Sequence, residues 1–249
     1  MFAQTSQRNW DTWTTYFEHN AMSLLAVDWD EKYQLSWEEH LRITQSVQQF
    51  QLGESSEGKH VIEQAQRYIA ASGDDKYLPA LRLFIKEEQR HARYLARFMQ
   101  KQDIPLAHSD PVDGVFRLLR RAFNLELSIM AMLTAEIIAV PYYKSLYDAT
   151  DSPLMKQICR QLLRDEMQHL QFQLDALEKI DERHSSLVTS IMHMLHRILF
   201  AGAVLIVWQQ HRLVLKSSRH SFPEFWRENW QHFNNLCAKR EMLNQEITP

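Results

Sequence analysis

Breaker residues are scarce in this chain. Its 249 residues include 5 Gly and 7 Pro, 12 together, where average usage of roughly 7% and 5% would give about 30. Sandwiches, barrels and Gly-rich nucleotide folds need frequent turns and positive-φ positions, so this shortage argues against all of them. Cysteine is also rare: Cys159 and Cys237 form no CxxC pair and no disulfide framework. That fits two idle thiols in a reducing, cytoplasmic setting. Charge of one sign is missing too. Lys+Arg 28 against Asp+Glu 31 leaves −3, so no nucleic-acid footprint is present, and Arg120–Arg121 is the densest basic spot. The N-terminal MFAQTSQRNWDTW lacks the apolar stretch of a signal peptide. The most apolar run, Ile198 to Trp208, is 11 residues, too short to span a bilayer. It reads as a buried helix core, and no membrane span is expected.

What is present is helical periodicity. An aromatic-rich lead-in reaches Trp29, with Trp10, Trp13, Tyr16 and Phe17 three or four apart. Ser36-Trp37-Glu38-Glu39 resembles a capped helix start, and the helical pattern from there runs to Ala71. Further helices are expected over 76–100, 115–146, 153–180, 186–216 and 223–244, with 101–114 as a linker. No stretch shows sustained period-2 alternation, so the chain reads as all-α. It is expected to form one domain over 1–249, with a four-helix core at 36–181 and helical extensions at 1–35 and 182–249.

One internal repeat carries the chemistry. Residues 84–95, FIKEEQRHARYL, and 162–173, LLRDEMQHLQFQ, share their pattern at an offset of 78. Glu88-x-x-His91 and Glu166-x-x-His169 each put a carboxylate and an imidazole on one helical face, where both can reach one metal. A single such spacing is expected by chance with 18 Glu and 12 His, and Glu57-x-x-His60 can be one. The matched context lifts the other two above that level.

Acids on the neighbouring helices complete the pattern. Glu136 lies inside MAMLTAEIIAV, apolar on nearly every side, and a carboxylate buried unpaired costs several kcal/mol. Glu57 and Glu88 are 31 residues apart across the Gly73 turn, and Glu136 and Glu166 are 30 apart across the 148–153 turn. Antiparallel helices bring residues equidistant from a turn to one level, so Glu57 is the preferred partner acid. Glu54, three residues earlier, is the alternative. Glu126 is ten residues from Glu136 and faces elsewhere.

Four carboxylates and two imidazoles, one set per hairpin, match the carboxylate-bridged pattern of ferritin-like bundles. The region 48–179 resembles the ferritin-like di-iron superfamily, which includes bacterioferritin, rubrerythrin and the ribonucleotide reductase small subunit. The resemblance implies a ferritin-like four-helix bundle with a long crossover between its second and third helices. It implies metal ligands at Glu57 (or Glu54), Glu88, His91, Glu136, Glu166 and His169. Asp165 would hold His91 and Glu87 would hold His169. The 14 residues of 101–114 reach roughly 46 Å extended, enough to cross a bundle of roughly 39 Å.

The implied cofactor is two iron ions, with Mn/Fe as the variant, and the implied activity is an O2-activating oxidoreductase on a small, partly apolar substrate. The alternative is an iron-handling ferroxidase with no organic substrate. No flavin motif or CxxC pair is present, so an external electron donor is implied, and the extensions can form a homodimer contact. Met130 and Met132 are expected in the core, with the lining of a substrate pocket as the alternative. Tyr68, Tyr94, Tyr142 and Tyr143 are expected in core or interface packing, with a redox role near the cluster as the alternative. His193 and His196 are expected at exposed or capping positions, with a second metal pair as the alternative. Gly53, Gly58 and Pro141 flank the proposed ligands inside helices, which predicts a kink or π-bulge beside each.

Overall fold

The computed structural model describes residues 9–55, 58–108, 124–218 and 220–246. The helices are α1 (Trp10–Met22), α2 (Trp37–Glu54), α3 (Lys59–Ser72), α4 (Tyr77–Lys101), α5 (Leu125–Asp148), α6 (Pro153–Asp181), α7 (Ser186–Ser217) and α8 (Phe222–Glu246). No strand occurs among the described residues.

The helix expected over 36–71 is two helices. Ser36 opens α2 with a full capping box, its side chain accepting from the Glu39 amide while Glu39 accepts from the Ser36 amide. The helix stops at Glu54, and α3 begins after Gly58 at φ +66. A left-handed residue cannot continue a right-handed helix. A Cβ at Gly58 would also lie 2.7 Å from Ile85 Cδ1, so glycine is required twice over. The distortion expected near Gly58 is therefore a complete break. Gly53 stays inside α2, and α5 runs unbroken through Pro141 with no π-turn. The proline removes one backbone donor, and the helix absorbs that loss without a bulge.

Two further boundaries differ from expectation. The Asn124 side chain accepts from the Leu127 amide and starts α5 at Leu125, so the third helix does not run on continuously from residue 115. Residues 109–123, the end of the linker and that early stretch, lie outside the described residues.

Helices α2 and α3 each pack on α4, α5 packs on α6, and α6 also meets α4. One apolar core joins Trp13, Phe17, Phe84, Ile137 and Phe172, and another joins Ile43, Leu95, Tyr142, Met155 and Leu162. The lead-in is itself a helix laid on the bundle. Trp13 and Phe17 are buried, and Trp13 Nε1 donates to Asp175 Oδ2 at 2.8 Å.

Among the described residues two helices are long and apolar enough to cross a membrane, α5 and α7, and most of the apolar window of α5 is buried. In α7 the run from Ile198 to Trp208 is not a buried core. Phe200, Ala203 and Val204 are buried, but Ile198 and Leu205 are 62% and 50% exposed. His196 is also corrected. It is buried, 3.1 Å from Thr134 Oγ1 and packed on Phe233, because it lies on the inward stripe of α7.

Glu39 ties the start of α2 to the α5–α6 turn. It accepts from the amides of Ser36 and Asp151 and the hydroxyls of Thr150 and Tyr33. Burial alone would raise its pKa, but these donors bring it down to about 2 from an ordinary 4.5. A lowered folded pKa stabilises above the unfolded value and is lost as pH falls through the folded one. Glu39→Ala should therefore cost about 2–3 kcal/mol in urea unfolding at neutral pH. The deficit should shrink between about pH 4.5 and pH 2.

Candidate metal centre

Six side chains from four helices converge. Glu54 is the last residue of α2, Glu88 and His91 come from α4, Glu136 from α5, and Glu166 and His169 from α6. Glu57 lies outside the described residues. The α2 carboxylate that reaches the cluster is Glu54. Its Oε1 accepts from the Tyr143 hydroxyl at 2.7 Å. Its pKa is raised well above the usual range, by burial first and then by the charges of Glu88 and Glu166.

Glu88, His91, Glu166 and His169 each offer a ligand atom, all within 4.8 Å of one another. The two imidazoles are 5.4 Å apart between ring centres, with Glu166 between them. Its Oε1 is 3.4 Å from His91 Nδ1 and its Oε2 is 3.4 Å from His169 Nδ1. Glu88 Oε1 also lies between the rings, 3.8 Å and 3.0 Å from the same nitrogens. Glu136 Oε2 stands on the His169 side, 3.8 Å from Nδ1.

The inward-facing atoms are buried without hydrogen bonds. They are Glu88 Oε1, both Glu166 carboxylate oxygens, and Nδ1 of His91 and His169. Leaving so many polar atoms dry and unpaired costs 1–3 kcal/mol or more each, so their convergence calls for a cation. Donors of this kind, carboxylate oxygens and imidazole nitrogens, suit iron and manganese.

The outward faces, by contrast, are tied down. His91 Nε2 lies 3.0 Å from Asp165 Oδ2, and His169 Nε2 lies 3.1 Å from Glu87 Oε2. Each carboxylate precedes the ExxH glutamate of the opposite hairpin, so the two motifs orient each other's histidines. With Nε2–H donated outward, each Nδ1 faces the centre and would bind a metal once its proton leaves. Asn20 of α1 donates to Glu87 Oε1 at 2.7 Å and to Asp165 Oδ1 at 2.9 Å. Arg90 reaches Glu87 at 3.0 Å and Asp165 at 2.9 Å. Burial alone would raise both carboxyls, but His169 beside Glu87 and His91 beside Asp165 hold them below the usual range.

Four contributors were not anticipated from sequence. Asn20 continues the buried Trp10–Trp13–Phe17 stripe of α1, and a polar residue on that stripe was the available signal. Arg90 follows Glu87 by three residues on the same helix. Gln173, four after His169, donates to Glu136 Oε1 at 2.9 Å. Tyr143, seven after Glu136, holds Glu54; the sequence suggests core or interface packing for it first and a redox role beside the cluster second, and not this carboxylate contact. Met130 and Tyr142 are core residues. Glu126 does face elsewhere, buried beside Asp181 and His184.

The fold and its cluster place the chain among ferritin-like all-α bundles. Its solved structural neighbours are R2-like ligand-binding oxidases, relatives in fold of the ribonucleotide reductase small subunit. A single-residue variant of such an oxidase with an aerobically reconstituted Mn/Fe cofactor aligns at TM-score 0.64 and 16% identity, covering 94% of each chain. Another, reconstituted anaerobically, gives 0.62 and 18% over 94% of each chain. A third, aerobically reconstituted after a long soak, gives 0.56 and 16% over 96% of this chain and 98% of its own. No protein-family model and no curated protein matches the sequence. At these identities the likeness establishes the fold.

Proposed function

We propose that this chain is an O2-activating non-haem oxidoreductase with a dinuclear centre, Fe/Fe or Mn/Fe, acting on a small, partly apolar substrate. The observation that carries it is the set of buried, unpaired ligand atoms facing one point while both histidines are anchored from behind. Glu88 and Glu166, which stand between the two imidazoles, would help to hold both ions. His91 with Glu54 would complete one site, and His169 with Glu136 the other. Such a pair, when bound, supplies O2 activation, as carboxylate- and imidazole-held iron does elsewhere. The neighbouring oxidases carry Mn/Fe cofactors, which supports keeping both metal pairings.

The protein's own residues shape the surroundings. Phe84 and Phe17 pack 4.8 Å and 6.3 Å from the His169 ring, an apolar wall that excludes water and suits a partly apolar substrate. Tyr143 and Gln173 hold the two terminal carboxylates. An external donor would supply electrons.

Elemental analysis and oxygen consumption test the reading. The expected result is about two transition-metal ions per chain, with O2 uptake coupled to an organic substrate. Iron loading far above two would favour the ferroxidase alternative, and absence of any tight metal would overturn both. Asp165→Asn should weaken metal binding 10–100-fold by loosening His91 while leaving the helix content unchanged, as competition with a chelator would show.

A further inference from the structure

A second set of ligand-type side chains gathers where α5 begins, α6 ends and α7 sets out. Glu126 is the second residue of α5 and Asp181 the last of α6. His184 sits in the turn that follows, and His193 is the eighth residue of α7. We propose that these four side chains form a mononuclear site for a divalent transition ion, with zinc as the best match. The inference does not depend on the dinuclear centre. Ten residues of α5 separate Glu126 from Glu136, and twelve of α6 separate His169 from Asp181, roughly 15–18 Å of helix.

Local geometry brings the donors together. Asp181-x-x-His184 repeats the carboxylate-then-imidazole order of the two ExxH pairs. The His184 amide donates to the Asp181 carbonyl at 2.8 Å, so one tight turn presents both side chains. Glu126, Asp181 and His184 each offer a ligand atom, all within 4.8 Å of one another. His184 Nε2 is 3.8 Å from Glu126 Oε2, and His193 Nε2 is 3.6 Å from Asp181 Oδ2. Both gaps are too wide for a hydrogen bond. They suit two atoms on one ion, because ligands about 2.1 Å from zinc at tetrahedral angles stand roughly 3.4 Å apart. The dinuclear centre spaces its carboxylates and imidazole nitrogens in the same way, at 3.4 Å and 3.8 Å.

Burial and charge point the same way. Glu126 and Asp181 are 3% and 5% exposed. Two carboxylates this close and this buried repel each other, and a divalent cation between them turns that repulsion into attraction. Nδ1 of His184 and Nε2 of His193 are buried without a hydrogen bond. Both rings keep an edge toward solvent, which leaves the ion a way in. The pair His193 and His196 does not act together, since His196 turns inward to Thr134 while His193 turns to Asp181.

The donor set selects the ion. Two carboxylates and two imidazoles make a four-donor set that suits zinc, and the divalent series favours zinc over manganese and iron. Calcium and magnesium call for octahedral or larger sets of oxygens, which two imidazoles do not supply. Bound zinc would tie the ends of three helices to one point.

Zinc titrated into the purified full chain, with bound metal counted by elemental analysis after gel filtration, tests the proposal. The natural chain should hold one zinc more than His184→Ala, at unchanged helix content, and Glu166→Ala should keep that ion. Loss of affinity in His184→Ala should exceed the 10–100-fold typical of an outer partner. At free zinc of about 100 Kd, Tm should rise by about 5–10 °C more in the natural chain than in His184→Ala. Should His184→Ala fail to fold, His193→Ala removes a ligand from a different element and should lose the same ion. Equal zinc in the natural chain and the histidine variants overturns the proposal. So does a difference that vanishes in Glu166→Ala, which would assign the ion to the dinuclear centre.

Discussion

Glu166→Ala is expected to empty both metal positions at once. Of the six converging side chains, Glu166 alone turns one carboxylate oxygen to each imidazole at the same 3.4 Å distance. Its carboxyl is also held below the usual range, as those of Glu87 and Asp165 are. Burial alone would raise its pKa, but Glu136 and the two imidazoles bring it below the usual range. Removing it takes away the carboxylate that faces both imidazoles equally and leaves Glu88 as the one acid between the two rings, which stand 5.4 Å apart. Bound metal should fall from about two per chain to near zero, an affinity loss beyond the 10–100-fold typical of an outer partner. Glu136→Ala should act differently. Its carboxylate stands on the His169 side only, so one position should keep its ion. Elemental analysis of the two variants side by side separates these outcomes. Equal loss from both would mean that Glu166 is not the shared ligand.

The two ExxH pairs were legible because they depend only on local geometry. Three residues on an α-helix is one face whatever the tertiary context. The repeat at 78 residues placed each pair in an equivalent hairpin. Even the cross-bracing by Asp165 and Glu87 followed from which residue precedes each ligand. The α2 acid was another matter. Counting equal distances from the Gly73 turn favoured Glu57, and that count assumed an unbroken helix from 36 to 71. Gly58 breaks it at φ +66, so residues before the break no longer keep the register of those after it. Glu54, before the break, stands beside Glu88 and Glu166, and Glu57 lies outside the described residues. The close approach of Ile85 that requires glycine at 58 is a tertiary fact that local pattern does not contain.

At α7 the expected buried core gives way to a helix with one open face, again for a tertiary reason. An apolar run as long as Ile198–Trp208 covers every face of a helix, and run length alone was read as burial. Burial depends on what lies on each side. The core takes one face, and the other stands open. Asn20 was missed for the opposite reason, as a polar residue in a stripe read as pure packing. Its amide bridges Glu87 and Asp165, so α1 braces the centre as well as filling the core.

Metal loading should stabilise the protein strongly, and more so as pH rises. In the metal-free chain the centre is held together by protons. Burial, then the charges of Glu88 and Glu166, push Glu54 and Glu136 well above the ordinary 4.5. Burial alone would lower His91, but Asp165 and Glu166 outweigh it and push it up to about 10. His169 is raised well above 6.5 by the acids around it, against the effect of burial. All four shifts have one sign. Above each unfolded value the unfolded chain gives up a proton that the folded chain keeps, so folded stability falls as pH rises. The metal-free protein should therefore lose stability from about pH 4.5 up through the raised values. Bound ions need carboxylates and neutral imidazoles, so they take the place of those protons and remove the penalty. At a free metal concentration of about 1,000 Kd, binding contributes about 4 kcal/mol. For a chain of this size that is about 8–16 °C in Tm. Calorimetry with and without metal at about pH 6 and about pH 8 should show the larger gain at the higher pH. In Glu166→Ala the gain should vanish at both. A gain that is equal at both pH values would mean that the ions do not displace these protons, and would move the binding site away from the two histidines.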